Sequence, residues 1–329
     1  MRRILGIVLA AALLATVLVA TGCGSSSSQA NGSTTAGGMT VAQILAKSDQ
    51  AMSKVKSVRF MGDMTIKVSS SGSSAQAAIL GQAPIILHVA GEAGDATPGK
   101  GAAKAADKTA AAVEMTLHAA GQTIPIGLRS VGGRTWLRFQ GTWYAAPKSK
   151  TAAAKGASPA SSSTGSLGID PSTWAKSTTV TSEQLGGATV YHMVATADTV
   201  KIMDEIVKAL DNPAFSKGAG SGAAVLNQLR SSGQLKTLEK SLAAASVQEW
   251  VDAQTFLVSK GSFDAKLHLG SGSASSGVSG LGINVTFTLG GFNQPFKVTP
   301  PAHAQPIEKL TKGLSGLSSG AGVGVGVGL

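Results

Sequence analysis

Three short runs in this chain carry residue types and spacings that can do chemistry. Ser53-Lys54-Val55-Lys56 fits S-x-x-K, in which a lysine activates a serine nucleophile, but no S-D-N or K-T-G accompanies it. It also closes an amphipathic segment, where basic residues complement a helix dipole. Gly316-Leu317-Ser318-Ser319-Gly320 fits G-x-S-x-G, yet a nucleophile elbow needs a strand before it and a helix after it, and this stretch is a glycine-rich tail. Met61 and Met64 have an M-x-x-M spacing, but on a strand they point to opposite faces, which favours core filling over copper. Gly322 to Gly328 alternates glycine with valine and lacks the spacing of a phosphate loop. His88, His118, His192 and His268 fall in strand-like runs far apart in sequence, so solvent-facing or hydrogen-bonded histidines are expected rather than ligands. No metal, no cofactor and no catalytic constellation is expected; the chain does not read as an enzyme.

The one cysteine offers different chemistry. Arg2 and Arg3 precede an apolar run from Ile4 to Ala20, the n- and h-regions of a secretory signal peptide. The run is about 17 residues, at the short limit for a bilayer span of roughly 20. It ends Ala20-Thr21-Gly22-Cys23, small residues directly before a cysteine, as in a bacterial lipobox, where the thiol is acylated and becomes the new N-terminus. Residues 1–22 are therefore expected to be a lipoprotein signal peptide. Cys23 becomes the lipidation point, placing the protein at the extracytoplasmic face of the cell membrane. Residues 23–39 follow as a Gly/Ser-rich tether spanning roughly 20–25 Å.

Composition supports an exported, core-stabilised chain. With one cysteine there is no disulfide to form, so stability must come from packing, and 329 residues suffice for a core. The net charge of +11, or +9 without Arg2 and Arg3, favours anionic surfaces such as phospholipid head groups. The lysines are scattered without a basic run, which excludes nucleic acid as an expected partner.

The elements come next. Thr40 and Gln43 form a capping box, with Met39 and Ile44 at the staple positions. Val41, Ile44, Leu45, Met52 and Val55 supply an amphipathic helix. From Val58 to Val68 the chain alternates apolar and polar, a half-buried strand. The alternation recurs at Ile85–Val89, Val113–Leu117, Ile124–Leu128, Val190–Val194 and Phe263–Leu269. A two-residue turn at Gly132-Gly133 pairs Leu128 with Leu137, Ile126 with Phe139 and Arg129 with Trp136. Trp136 should then stack with Arg129 on an outer, solvent-exposed face shared with Arg134 and Arg138. The same rule at Gly290-Gly291 pairs Val285 with Phe296 and Ile283 with Val298, with Pro295 marking an edge strand. Helices are expected over Val200–Leu210, from Val225 through Leu242, and from Ile307. Two Ala/Gly/Ser/Lys-rich stretches, 91–111 and 147–168, read as loop insertions.

The outcome is one α+β domain at residues 40–315 with a disordered tail at 316–329. It should be a strongly curved, half-open antiparallel β-barrel with a few helices on its concave side. The order of elements resembles the LolA/LppX-like lipoproteins, through "TVAQILAKSDQAMSKVKSVRF", "VGGRTWLRFQGTWY", "VYHMVATADTV", "VQEWVDAQTFLVSK" and "FNQPFKVTPP", including the Trp250–Asp252 and Pro300 positions. The two insertions and the Gly-Val tail depart from that pattern. The resemblance implies binding and transfer of acylated lipids or glycolipids in an apolar cavity. The residues expected to line it are Phe60, Met64, Ile66, Met115, Leu117, Ile126, Leu128 and Leu267. A monomer is expected, with a membrane transporter or another envelope protein as partner. A sensor or scaffold lipoprotein of the same fold, binding a partner protein, is the competing reading.

Overall fold

A computed structural model describes residues 35–70, 83–95, 109–119, 121–147, 175–201, 242–268 and 278–310. Cys23, the apolar leader, the tether up to residue 34, the centres of both insertions, most of the helices expected between 200 and 242, and the tail lie outside the described residues.

The described chain begins with a small hairpin, β1 (Thr35–Ala36) and β2 (Met39–Thr40), turned at Gly37-Gly38 with φ of 58° and 77°. Helix α1 (Val41–Met52) follows at once. The capping box is present: Gln43 donates its backbone N–H to Thr40 Oγ1 at 3.3 Å, and Thr40 donates its own to Gln43 Oε1 at 2.9 Å. Removing the cap with Thr40→Ala should lower stability by about 1 kcal/mol, with Thr40→Ser nearly neutral. Paired urea titrations check this.

Twelve strands form one sheet. In chain order they are β3 (Ser57–Ser70), β4 (Ile85–Asp95), β5 (Thr109–Ala119), β6 (Gln122–Val131), β7 (Arg134–Phe139), β8 (Thr142–Ala145), β9 (Ala175–Leu185), β10 (Ala188–Ala197), β11 (Leu242–Asp252), β12 (Val258–His268), β13 (Val278–Gly290) and β14 (Gln305–Pro306). The spatial order is β14-β8-β7-β6-β5-β4-β3-β13-β12-β11-β10-β9. Two antiparallel meanders, β3 to β8 and β9 to β13, are joined along a central β3–β13 seam. Strands that each rotate about 20–25° against their neighbour roll up instead of lying flat. β9 and β14 remain at separate edges, so the barrel is half-open.

The register sorts the side chains. Met64 sits opposite Leu87 on β4 and Val285 on β13; Leu87 faces Leu117, and Leu117 faces Ile124. The same row continues through Val285 to Phe263 and Val247. From β6 across to β11 this row is apolar. Glycines on the same face seat aromatic rings: Phe60 lies over Gly91, where a Cβ would come within 2.9 Å of its Cζ, and the Phe287 ring fills the place of a Cβ at Gly261. The opposite face carries Arg59, Asp63, His88, Glu114, His118, Asn284 and Lys260, the alternating partners of those residues.

The Gly132-Gly133 hairpin forms in the expected register, with φ of 59° and 69° at its glycines. The Gly290-Gly291 hairpin does not form. β13 ends at Gly290, and residues 292–304 run without ladder pairing as a strap across the polar face. Asn293 explains the departure: at φ 58° its backbone N–H bonds the Ser57 carbonyl and its side chain accepts from Lys56 N–H at 2.7 Å, directing the chain away from a return strand. Phe296 and Val298 then bury themselves on Ala110, with Ala112 and Val131 packed around them. The strap ends as β14, which pairs in parallel with β8.

This strap also corrects the outer-face expectation. Trp136 is only 6 % exposed. Arg129 is opposite Trp136 in register, but its guanidinium donates to the Thr299 carbonyl at 3.0 Å and lies 4.8 Å from the Trp143 ring. Arg138 is held by Glu114 at 2.6 Å, which leaves Arg134 exposed at the turn. Two further boundaries differ. Leu242 starts β11 instead of ending a helix, and β4 and β5 extend to Asp95 and back to Thr109, into the segment read as insertion.

Candidate functional site

The eight residues read as a ligand surface share one face of the sheet. Phe60, Met64 and Ile66 come from β3, Met115 and Leu117 from β5, Ile126 and Leu128 from β6, and Leu267 from β12. The ladder connects them: Met115 faces Ile126, and Leu128 faces Val113 on one side and Leu137 on the other. Leu267 faces Leu281, which faces Val68. They are not equally available. Met64 and Ile66, each 4 % exposed, pack with Val285, Ile85, Leu87, Phe263 and Ile283, and Leu267 is 7 % exposed. Phe60, Met115, Leu117, Ile126 and Leu128 are half-buried.

The helix covers the other half of that face. α1 sinks Ile44, fully buried, into Val180, Tyr191, Met193, Val251 and Val258 of β9 to β12. Met39, Leu45, Met52, Phe287 and Leu289 close around it. Tyr191 brings its hydroxyl against Gly37, where a Cβ would approach to 3.0 Å. So β1, β2 and α1 form a cap over the β9–β12 half, and the apolar surface of β4 to β8 continues beyond it.

Two residues of these strands, Glu249 and Glu183, were not identified from sequence. Glu249 on β11 is an acid on the apolar face, opposite Met193 and Gly261. Desolvation, reinforced by the Asp49 carboxylate of α1, pushes its carboxyl up to about 7. A change of phase after "SVQEWV" could have shown it, since Val247, Glu249 and Val251 share one period-two row. Glu183 and His192, on the polar face, belong to a brace around Trp250. The His192 ring stacks on the indole at 4.2 Å, Lys260 Nζ lies 4.4 Å from it, and the indole N–H donates to Glu183 at 2.6 Å. Asp252 ends the strand by accepting from Thr255 N–H at 2.7 Å and Gln254 N–H at 3.0 Å. Desolvation pushes its carboxyl up, but these bonds outweigh it and hold the group below the usual carboxylate range.

The histidines lie on the polar face. His88 pairs with Asp63, and its ring meets His118 edge-on at 5.5 Å. His118 Nδ1 is 2.9 Å from Thr123 Oγ1. Among the described residues no three potential ligands converge on one point. Also among them, no helix is long and apolar enough to cross a membrane.

No protein-family model matches the chain, and no curated protein sequence matches it. Solved structures do. LprF from Mycobacterium bovis aligns over 79% of this chain and 96% of its own, at 12% identity and a TM-score of 0.36. A LolA superfamily protein from Nitrosomonas europaea aligns over 80% of this chain and 96% of its own, at 10% identity and a TM-score of 0.20. A DUF1329 family protein from Desulfovibrio piger aligns over 78% and 95% at 8% identity and a TM-score of 0.20.

Proposed function

We propose that the protein is a lipid-anchored, extracytoplasmic lipoprotein that binds and carries acylated lipid or glycolipid on the apolar face of its half-open sheet, without catalysing a reaction. One observation carries this reading. The apolar rows of the sheet align in register on a single face, and where α1 ends, Phe60, Met115, Leu117, Ile126 and Leu128 stay part-exposed. An exposed apolar surface of that extent on an otherwise packed domain suits an apolar ligand. Burying a dozen methylenes there is worth about 10 kcal/mol before ordering costs.

Native mass spectrometry of gently purified protein tests it. Co-purifying species with acyl-chain masses, lost on delipidation and regained with lipid vesicles, are expected. Lipid-free protein that takes up none from vesicles would overturn the reading in favour of a scaffold that binds a protein.

Anchoring is tested separately. Cys23→Ser should move the protein from the membrane fraction to the soluble extracytoplasmic fraction. A mutant that stays membrane-bound with its leader uncleaved would show a transmembrane anchor instead.

A further inference from the structure

Lysine and arginine are distributed differently over this molecule. Lys47, Lys67, Lys176, Lys201 and Lys266 sit on separate elements. Arg59, Arg129, Arg134 and Arg138, all the arginines among the described residues, gather at one corner of the polar face. The ladder shows how. Arg59 faces Glu92, Glu92 faces Ala112, Ala112 faces Arg129, and Arg129 faces Trp136. Arg134 and Arg138 stand two residues to either side of Trp136 on β7, in the same phase. β3 and β6 are three strand spacings apart, so the group spans roughly 14 Å. The strap crosses this corner, with Phe296 on Ala110, and adds exposed Lys297.

These guanidiniums are held in place without being neutralised as a group. Arg59 lies 3.3 Å from Glu92 with 60 % of its side chain exposed, and Arg138 lies 2.6 Å from Glu114. Arg129 gives one N–H to the Thr299 carbonyl, an uncharged acceptor. Its guanidinium and that of Arg138 lie 4.8 and 5.6 Å from the centre of the same Trp143 ring. Arg134 is exposed at the Gly132-Gly133 turn and meets no acid among the described residues. In these rows Glu92 and Glu114 oppose four arginines and Lys297. A guanidinium carries five N–H donors, so one bond leaves most of its fork free. That fork is weakly hydrated and matches a phosphate bidentately.

We propose that this corner docks the protein on an anionic bilayer surface, its arginines taking the phosphates of the lipid head groups. Charge complementarity argues for that partner: the chain carries +11 overall, and here its cations converge on one exposed surface. Half-buried Trp143, set between two guanidiniums, has the amphipathic character that suits a head-group layer. Each exposed cation at an anionic surface strengthens binding roughly 5-fold. The same strands turn Ile126, Leu128 and Leu137 to the opposite, apolar face. Docking here would bring the edge of the part-exposed half of that face close to the bilayer. This last consequence rests on the lipid-binding reading; the docking does not.

Vesicle co-sedimentation of the full chain carrying Cys23→Ser, which removes the site of acylation, tests the docking. Binding to mixed phosphatidylglycerol–phosphatidylcholine vesicles is compared with binding to phosphatidylcholine alone, so that any contribution of the leader cancels. The excess on anionic vesicles should fall roughly 5-fold in Arg134→Gln and roughly 25-fold when Arg59→Gln is added. Both side chains are exposed, so neither change threatens the fold. Lys176→Gln with Lys266→Gln, the same loss of charge elsewhere, should leave the excess unchanged, and salt should remove it. Equal losses from the arginine and lysine pairs would mean diffuse charge and overturn the docking corner. So would equal binding to both kinds of vesicle. Saturable binding of inorganic phosphate with no gain on anionic vesicles would assign the arginines to a soluble anion, and would overturn it as well. Lipid carriage, read separately by native mass spectrometry, stands or falls independently of these outcomes.

Discussion

Leu128→Trp is expected to abolish acyl-lipid binding while leaving the thermal midpoint nearly unchanged. The side chain sits between Val113 and Leu137 on the apolar face and is part-exposed, so an indole has room to project over the neighbouring rows. It would then occupy the surface an acyl chain needs. Met64→Trp is the contrasting case. Met64 is buried among Val285, Ile85 and Leu87, and added volume there overpacks the core at about 1–3 kcal/mol. In a domain of this size each kcal/mol moves the midpoint by about 2–4 °C. The two variants therefore separate a binding surface from a packed core. Co-purifying lipid by native mass spectrometry and melting by differential scanning fluorimetry read both quantities on the same samples. If Leu128→Trp melts as early as Met64→Trp and no lipid was present to lose, the face is core and the carrier function fails.

Phe296→Ala should be more damaging still, destabilising the protein by about 3–5 kcal/mol. The ring lies on Ala110, in a trough of small side chains completed by Ala112 and Val131, and is 7 % exposed. Its neighbours in that cluster are alanines and the short valines Val131 and Val298, which fill little of the space it would leave, so the cavity term is large. Exposed Lys297, the next residue, is the control: Lys297→Ala should stay within about 0.5 kcal/mol. Urea midpoints measure both. A Phe296 effect below 1 kcal/mol, or one equal to that of Lys297, would mean that the strap does not pack against β5 and β6.

Period-two alternation made β3, β6 and β7 legible, because these strands keep one face apolar and the other polar, and glycines at Gly132-Gly133 can adopt the positive φ that fixes the hairpin register. The capping box marked α1 for a similarly local reason: Thr40 and Gln43 meet through bonds three residues apart. The Gly290-Gly291 pair carried the same local signal, yet the outcome was decided 237 residues away, where Lys56 donates to Asn293. No pattern within "GGFNQPFKV" contains that partner. The ends of β4 and β5 were hidden differently. On β5, Ala110 and Ala112 lie under Phe296 and Val298, so small side chains that read as loop are small because a strap crosses them; on β4, Gly91 lacks a side chain where the Phe60 ring lies over it. Of the site, the shared face was legible from phase alone. Its division into a covered and a part-exposed half was not, since that depends on where α1 lands, and neither was Glu249, an acid set between Met193 and Gly261 on the apolar face.

The β3–β13 seam bears on how the molecule acquires its shape. β3 is the first long strand along the chain and β13 the last, and Met64 and Val285 must find each other across nearly all the intervening sequence. Each meander can form by adding neighbours, hairpin by hairpin, but until the seam closes each ends in an unpaired central edge with an apolar face beside it. Such non-local closure is slow, because most of the loop entropy is spent before the last contacts return anything. A nascent chain stopped anywhere before residue 278 pairs β3 with β4 but has nothing for the other edge of β3. The polypeptide therefore stays open to chaperones, or to passage through a narrow pore, until its final long strand is free, and only then does the sheet lock.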